Sequence, residues 1–232
     1  MKKALFTLCA LAALSLSAVS CLNIHISGLG KNSIRCKGPV VEKSMDFSNF
    51  SGIVVNGSSD LFLSQGDTYS VRVKANEEVF NYLDYHVEEG LLYLETKDKV
   101  NLKAETFDVF ITLPCAESLS VNGAADIKME TAYAAEKDLD ITVNGAGDFN
   151  FKGVCVPNLK IGINGAGDIK VADMDVMTLS LSINGAGDAV LSGKADSANF
   201  SVSGAGDIDA RELECEKINT HKAGVASIRL HQ

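Results

Sequence analysis

The chain has 232 residues, a formal charge of −9, no Trp, and 20 Gly against 3 Pro. That length allows one domain or two small ones. The acidic balance, with no Lys/Arg stripe interleaved with aromatics, argues against a nucleic-acid partner, and so few rings leave a thin, aliphatic core.

Residues 1–20 read as a secretion signal. Lys2 and Lys3 form a basic start, Ala4 to Leu16 an apolar stretch, and Ala18 and Ser20 a small-residue cleavage site. The apolar stretch is too short for a spanning helix. Cys21 follows directly, as in a bacterial lipobox, although Ala18 stands where many lipoboxes carry Leu. Cys21 is therefore expected to carry the lipid that holds the protein on a membrane; plain cleavage before a free Cys is the alternative. Residues 21–44 read as a lipoprotein tether and lead-in, too irregular to assign.

Residues 45–114 read as a β-rich N-terminal part. Tyr69, Val71 and Val73 alternate, as do Phe107, Val109, Ile111 and Leu113, and period-two alternation means strands with one buried face. Asn76 to Tyr82 reads as a short helix or loop. Glu89-Gly90 reads as a hairpin turn into Leu92 and Leu94. No 20-residue beat is present, and short antiparallel strands covering the first repeat are expected, because the end of a repeat stack needs a cap.

Residues 115–232 carry one word. NGAGD occurs at Asn144–Asp148, Asn164–Asp168 and Asn184–Asp188, with NGAAD at Asn122–Asp126, SGAGD at Ser203–Asp207 and KAGVA at Lys222–Ala226. The starts are separated by 22, 20, 20, 19 and 19 residues. NGSSD at Asn56–Asp60 is an early outlier. Such regularity marks stacked repeats. Alternating runs flank each word, so two architectures compete. Strand–NG–strand can be a hairpin. It can equally be a corner in a parallel β-helix of about 20 residues per coil, in which like residues stack about 4.8 Å apart. The fold class favoured is all-β, a parallel β-helix, with Val143 on Ile163 and Ile163 on Ile183. That stacking also sets Cys115, Cys155 and Cys215 too far apart to pair with one another; they read as buried or half-buried fillers, with Cys36 free to pair with any of them.

The candidate site residues are the corners. Asn122, Asn144, Asn164 and Asn184 are expected to form a column of stacked amides, with Gly123, Gly145, Gly165, Gly185 and Gly204 beside them supplying turn geometry. Asp126, Asp148, Asp168, Asp188 and Asp207 would form a second column, whose mutual repulsion needs an offset. The first offset is acceptance of N–H groups by each carboxylate within its own corner. The alternative is a calcium ion shared by Asp148, Asp168 and Asp188, although the calcium-binding β-roll has a nine-residue repeat. No catalytic set emerges. The four His are scattered, no GxSxG occurs, and an acid and base need unlike surroundings, which identical repeats do not offer. No enzyme activity, cofactor or resident metal is expected.

The lipobox, the β-rich lead-in with NGSSD, Leu113-Pro114 and the GAGD series together resemble the bacterial head-GIN-domain proteins, a family of auto-transporter adhesins. The resemblance runs from about Phe47 to the C-terminus. It implies a right-handed β-helix similar to pectin-lyase-like folds without their catalytic residues, structural roles for the repeat residues, and adhesion through an envelope protein or glycan ligand. A periplasmic structural or envelope-stress role is the alternative, and a polysaccharide-active enzyme is a third. Leu22-Asn23-Ile24-His25 lacks the acidic cluster associated with surface export, so both faces of the outer membrane stay open. Oligomeric state is left open.

Overall fold

A computed structural model describes residues 33–231, and Cys21 with the expected signal lies outside them. The described residues are all-β apart from two short 3₁₀ turns, Glu77–Asn81 and Lys97–Lys99. No helix among them is long and apolar enough to cross a membrane.

The repeats pair with one another in parallel and in register. β10 (Ser118–Ala124) pairs with β13 (Leu139–Ala146), Asn122 opposite Asn144. β13 pairs with β15 (Val154–Ala166), setting Val143 opposite Ile163. β15 pairs with β16 (Ile169–Ala186), setting Ile163 opposite Ile183, and β16 with β17 (Ala189–Leu230). The parallel register expected for these ladders is thus met, and the hairpin reading fails: successive words lie side by side, not at separate tips. A second row follows the corners, running from β4 (Asp60–Gln65) through β11 (Ile127–Met129) and β14 (Phe149–Lys152) to the start of β16. β12 (Tyr133–Ala134) begins a third against β15.

The lead-in is more varied than expected. β2 (Val40–Met45), β5 (Ser70–Asn76) and β9 (Phe107–Leu113) are antiparallel neighbours, and so are β6 (Leu83–Glu88) and β7 (Leu91–Thr96). However, β9 joins β4 in parallel, and β7 joins β3 (Gly52–Ser58) in parallel. β3 in turn pairs with β10, Asn56 opposite Asn122, so NGSSD is a full member of the stack. Hydrogen bonding joins these strands into one mixed 15-stranded sheet. β1 (Ser33–Arg35) and β8 (Asn101–Lys103) form a separate parallel pair. Within the segment left unassigned at residues 21–44, β1 forms and β2 begins; their partners lie 68 and 36 residues away in the chain, as Ser33↔Asn101 and Val40↔Asn76, beyond any local pattern.

The core is the inward set of these rows. Val55, Val121, Val143, Ile163, Ile183 and Val202 are buried in one line, and Leu61, Ile127, Phe149 and Ile169 in another. Fully burying such a side chain is worth about 1.5–3 kcal/mol, so the ladder carries much of the stability repeat by repeat. The filler reading of the cysteines needs correction. Cys36 is buried and Cys115 and Cys215 half-buried, but Cys155 is exposed, and all four are free thiols. Cys155 sits on an outward position of β15, where alternation turns it away from the core.

Candidate functional site

The corners owe their sequence to close stacking. Gly165 has φ +151°, and a Cβ built there would land on the carbonyl oxygen of Gly145 in the preceding repeat. Only Gly permits that approach. Gly57 has nearly the same φ, +145°, yet nothing lies within 4 Å of its virtual Cβ. The first corner therefore lacks the neighbour that every later one has.

The Asp column is held by bonds between repeats, not within corners as expected. The backbone N–H of Asp148 donates to Asp126 Oδ1 at 3.0 Å, Asp168 to Asp148 at 3.0 Å, Asp188 to Asp168 at 2.9 Å and Asp207 to Asp188 at 2.8 Å. The backbone carbonyl of each Asp bonds the other way: Ile127 N donates to Asp148 O, and Phe149 N to Asp168 O, both at 2.8 Å. Each Asp thus clips three successive repeats. A charge-assisted bond of this type is worth more than a neutral one and offsets the repulsion along the column. Ser227 and Arg229 bind the Asp207 carboxylate at the far end. Among the described residues no group of three or more His, Cys, Asp or Glu could hold a metal ion.

The Asn column is a chain of amides pointing one way. Nδ2 of Asn184, Asn164, Asn144 and Asn122 each donates to the Oδ1 of the preceding Asn, ending on Asn56, at 2.9–3.0 Å. Asn56 donates to Glu95 Oε2 at 3.0 Å, which closes the row on a carboxylate. Ser203 breaks the column in the SGAGD copy. Gly123, Gly145, Gly185 and Gly204 all meet the preceding glycine as Gly165 does.

Beyond the first corner lies a cavity of about 700 Å³, lined by Asn56, Gly57, Glu95, Lys99, Asn101 and Lys103 among others. The Asn56–Ser58 backbone pairs with β10 on one side, whereas β7 pairing stops at Val55 on the other. In the wall opposite, Lys99 has a positive φ of 50°, as does Asp98 just before it at 52°. A narrow cleft beneath it reaches Tyr85, whose phenol is pushed well above its usual range by burial. None of the wall residues was anticipated as functional. Lys97-Asp98-Lys99 reads in isolation as a solvated charge run, and it is the packing of β8 beside β3 that brings Lys99 over the NGSSD corner.

Two other features were also not anticipated. Phe62 and Phe110 stack on the outer face at 4.8 Å between centroids, with Arg72 over one ring at 5.0 Å and Lys128 over the other at 5.5 Å. The rings cover each other and the cations cap them, so neither offers an open face. Beside them, Asp108 lies opposite Asp60 across β9 and β4. Burial and, secondarily, the Asp60 charge raise its pKa, against the lowering influence of Lys74 and Lys128.

Comparison with known proteins agrees with this architecture. The family model described as "Putative auto-transporter adhesin, head GIN domain" matches residues 49–232. Among solved structures, a putative adhesin from Parabacteroides merdae is 19% identical with a TM-score of 0.74, over 86% of this chain and 84% of that one. A protein described as a putative lipid binding protein from Parabacteroides distasonis is 19% identical, TM-score 0.75, over 87% and 100%. A putative adhesin from Bacteroides fragilis is 16% identical, TM-score 0.69, over 85% and 99%. At these identities the likeness is one of fold. No match was found among curated protein sequences.

Proposed function

The chain belongs to the head GIN domain family of putative auto-transporter adhesins, and on that premise we propose that it is a non-enzymatic envelope lipoprotein whose folded part is an adhesion or ligand-binding module. An adhesin family suggests an envelope or surface location. In this reading the repeats wind as a right-handed parallel β-helix, the hand expected of parallel crossovers, and Cys21 carries the lipid that tethers the stack to the outer membrane. The observation that supports a scaffold over an enzyme is the sameness of the corners. Asp126 to Asp207 make the same bond in each repeat, whereas an acid–base pair needs carboxylates in unlike environments. No cofactor is called for.

The test compares intact cells carrying the full-length chain with cells lacking it. The adhesion reading expects digestion of the protein by protease added outside and weaker attachment of cells lacking it to host glycans or matrix. Complete protection in intact cells, with attachment unchanged, would refute it. Protection would favour the alternative of a periplasmic structural or stress-related protein, a reading supported by the acid-free stretch Leu22-Asn23-Ile24-His25. Release of new reducing ends from a panel of polysaccharides would overturn the non-enzymatic assignment.

A further inference from the structure

We infer that the cavity beyond the first corner is the ligand site of this module and takes a short acidic saccharide, of the uronic-acid type. The inference rests on the binding-module reading and goes beyond it in naming the place and the ligand chemistry. At about 700 Å³ the cavity lies within the usual range for small-molecule sites, about 300–1,000 Å³, and has room for one or two sugar rings.

Four observations converge on it. First, the stack is interrupted there. Gly57 faces open space where every later corner glycine meets a carbonyl, and the ladder with β7 on that side stops at Val55, short of Asn56–Ser58. Its backbone polar groups are therefore available to a guest. Second, Lys99 and Lys103 are exposed at the cavity, and neither forms an ion pair among the described residues. Arg35 stands beside Lys103 across the β1–β8 pair. In a chain of net charge −9 two free cations at a concavity, with a third beside them, favour an anion. Third, the Asn101 amide and the Glu95 carboxylate oxygen not bonded to Asn56 offer donors and acceptors suited to sugar hydroxyls. Fourth, Lys99 in the wall and Asp98 just before it both sit in the left-handed region. Such backbone strain is retained where the surroundings over-determine it, and ligand clamps are one of the places where it gathers.

A peptide strand fits less well. The free edge spans only Asn56–Ser58, and Glu95 already takes the amide that a further stacked strand would receive. In the inferred complex the saccharide carboxylate lies against Lys99 and Lys103, and its hydroxyls bond Asn101, Glu95 and the Asn56–Ser58 backbone.

The experiment uses the full-length protein in detergent micelles, titrated calorimetrically with trigalacturonate, with neutral galactotriose and with an extended acidic hexapeptide. Trigalacturonate is expected to bind about ten-fold more tightly than galactotriose, and the Lys99→Gln/Lys103→Gln double variant to lose about that factor, the equivalent of ~1.4 kcal/mol. Affinity should also fall as salt rises. Lys170→Gln, an exposed lysine elsewhere on the sheet, should bind as the parent does. Unchanged melting of the double variant would show that it folds. Equal affinity for the acidic and neutral sugars, tighter binding of the peptide, indifference to the double substitution, or no saccharide binding would each overturn the assignment. None of these would touch the adhesion reading, which stands or falls on the whole-cell measurement.

Discussion

Gly165 and Gly57 form a natural control pair for the stacking argument. Both sit at nearly the same backbone angle, φ +151° and +145°, and differ in what lies above them. Replacing either with Ala imposes the strain of that conformation on an L-residue, of order 1–3 kcal/mol. At Gly57 nothing further happens, because the new methyl group enters open space. At Gly165 the methyl falls on the Gly145 carbonyl, and neither atom is on a flexible side chain. Relief requires the two repeats to separate, which breaks the adjacent bonds from Gly147 N to Ala166 O, 3.1 Å, and from Phe149 N to Asp168 O, 2.8 Å. At about 1 kcal/mol net for each bond, Gly165→Ala should cost ~2 kcal/mol more than Gly57→Ala, or about 3–5 kcal/mol in all. Urea denaturation followed by far-ultraviolet circular dichroism measures the difference. Equal losses at the two positions would mean that backbone angle alone demands glycine and that the close approach is not the cause.

The remaining predictions probe the columns and the core. Asp148→Asn keeps an oxygen for the Asp168 N–H while removing a charge from the column, so it should match or exceed the parent in melting temperature at low salt; Asp148→Ala, which removes the acceptor, should fall below both by about 1 kcal/mol. Asp108→Asn should stabilise at neutral pH. The folded-state pKa of Asp108 is raised by burial and Asp60, so its ionised form destabilises the fold above that pKa, and the penalty disappears as pH drops through the raised value towards the unfolded one, about 3.9. A melting-temperature gain that persists at pH 3 would contradict this cause. Ile183→Ala, in the fully buried line, should cost about 2–5 kcal/mol by the same urea assay. Millimolar calcium should leave the melting temperature unchanged, since each Asp column oxygen Oδ1 already accepts an N–H; a calcium-dependent rise abolished by Asp168→Asn would restore the cation reading.

The part of this structure legible in the sequence is the part that repeats. Identical words at a steady interval leave register little freedom, because a one-residue slip would turn Ile163 and its neighbours outward; Ile163↔Ile183 followed from that alone. The stacked amides were legible for the same reason. The Asp bonds were mis-assigned because a carboxylate and the N–H of its own corner are neighbours in sequence, whereas the observed donor is 19–22 residues away. The place of NGSSD was hidden by distance, since Asn56 and its partner Asn122 are separated by 66 residues holding all of the antiparallel lead-in but β2. The cavity could not be foreseen at all. Its walls come from β7, the Lys97–Lys99 turn, β8 and the first corner, and β8 pairs with β1, three residues within a stretch that shows no alternation.

The amide row ending on Glu95 has a polarity as well as a length. Every member donates an N–H to the one before it, and the last donates to a carboxylate that can only accept, so a single side chain at one end dictates which way five carboxamides face. An ammonium group at position 95 would demand the reverse, and the dipoles would have to turn over together, like compass needles realigned by one magnet, because any one left behind would set two donors or two acceptors nose to nose.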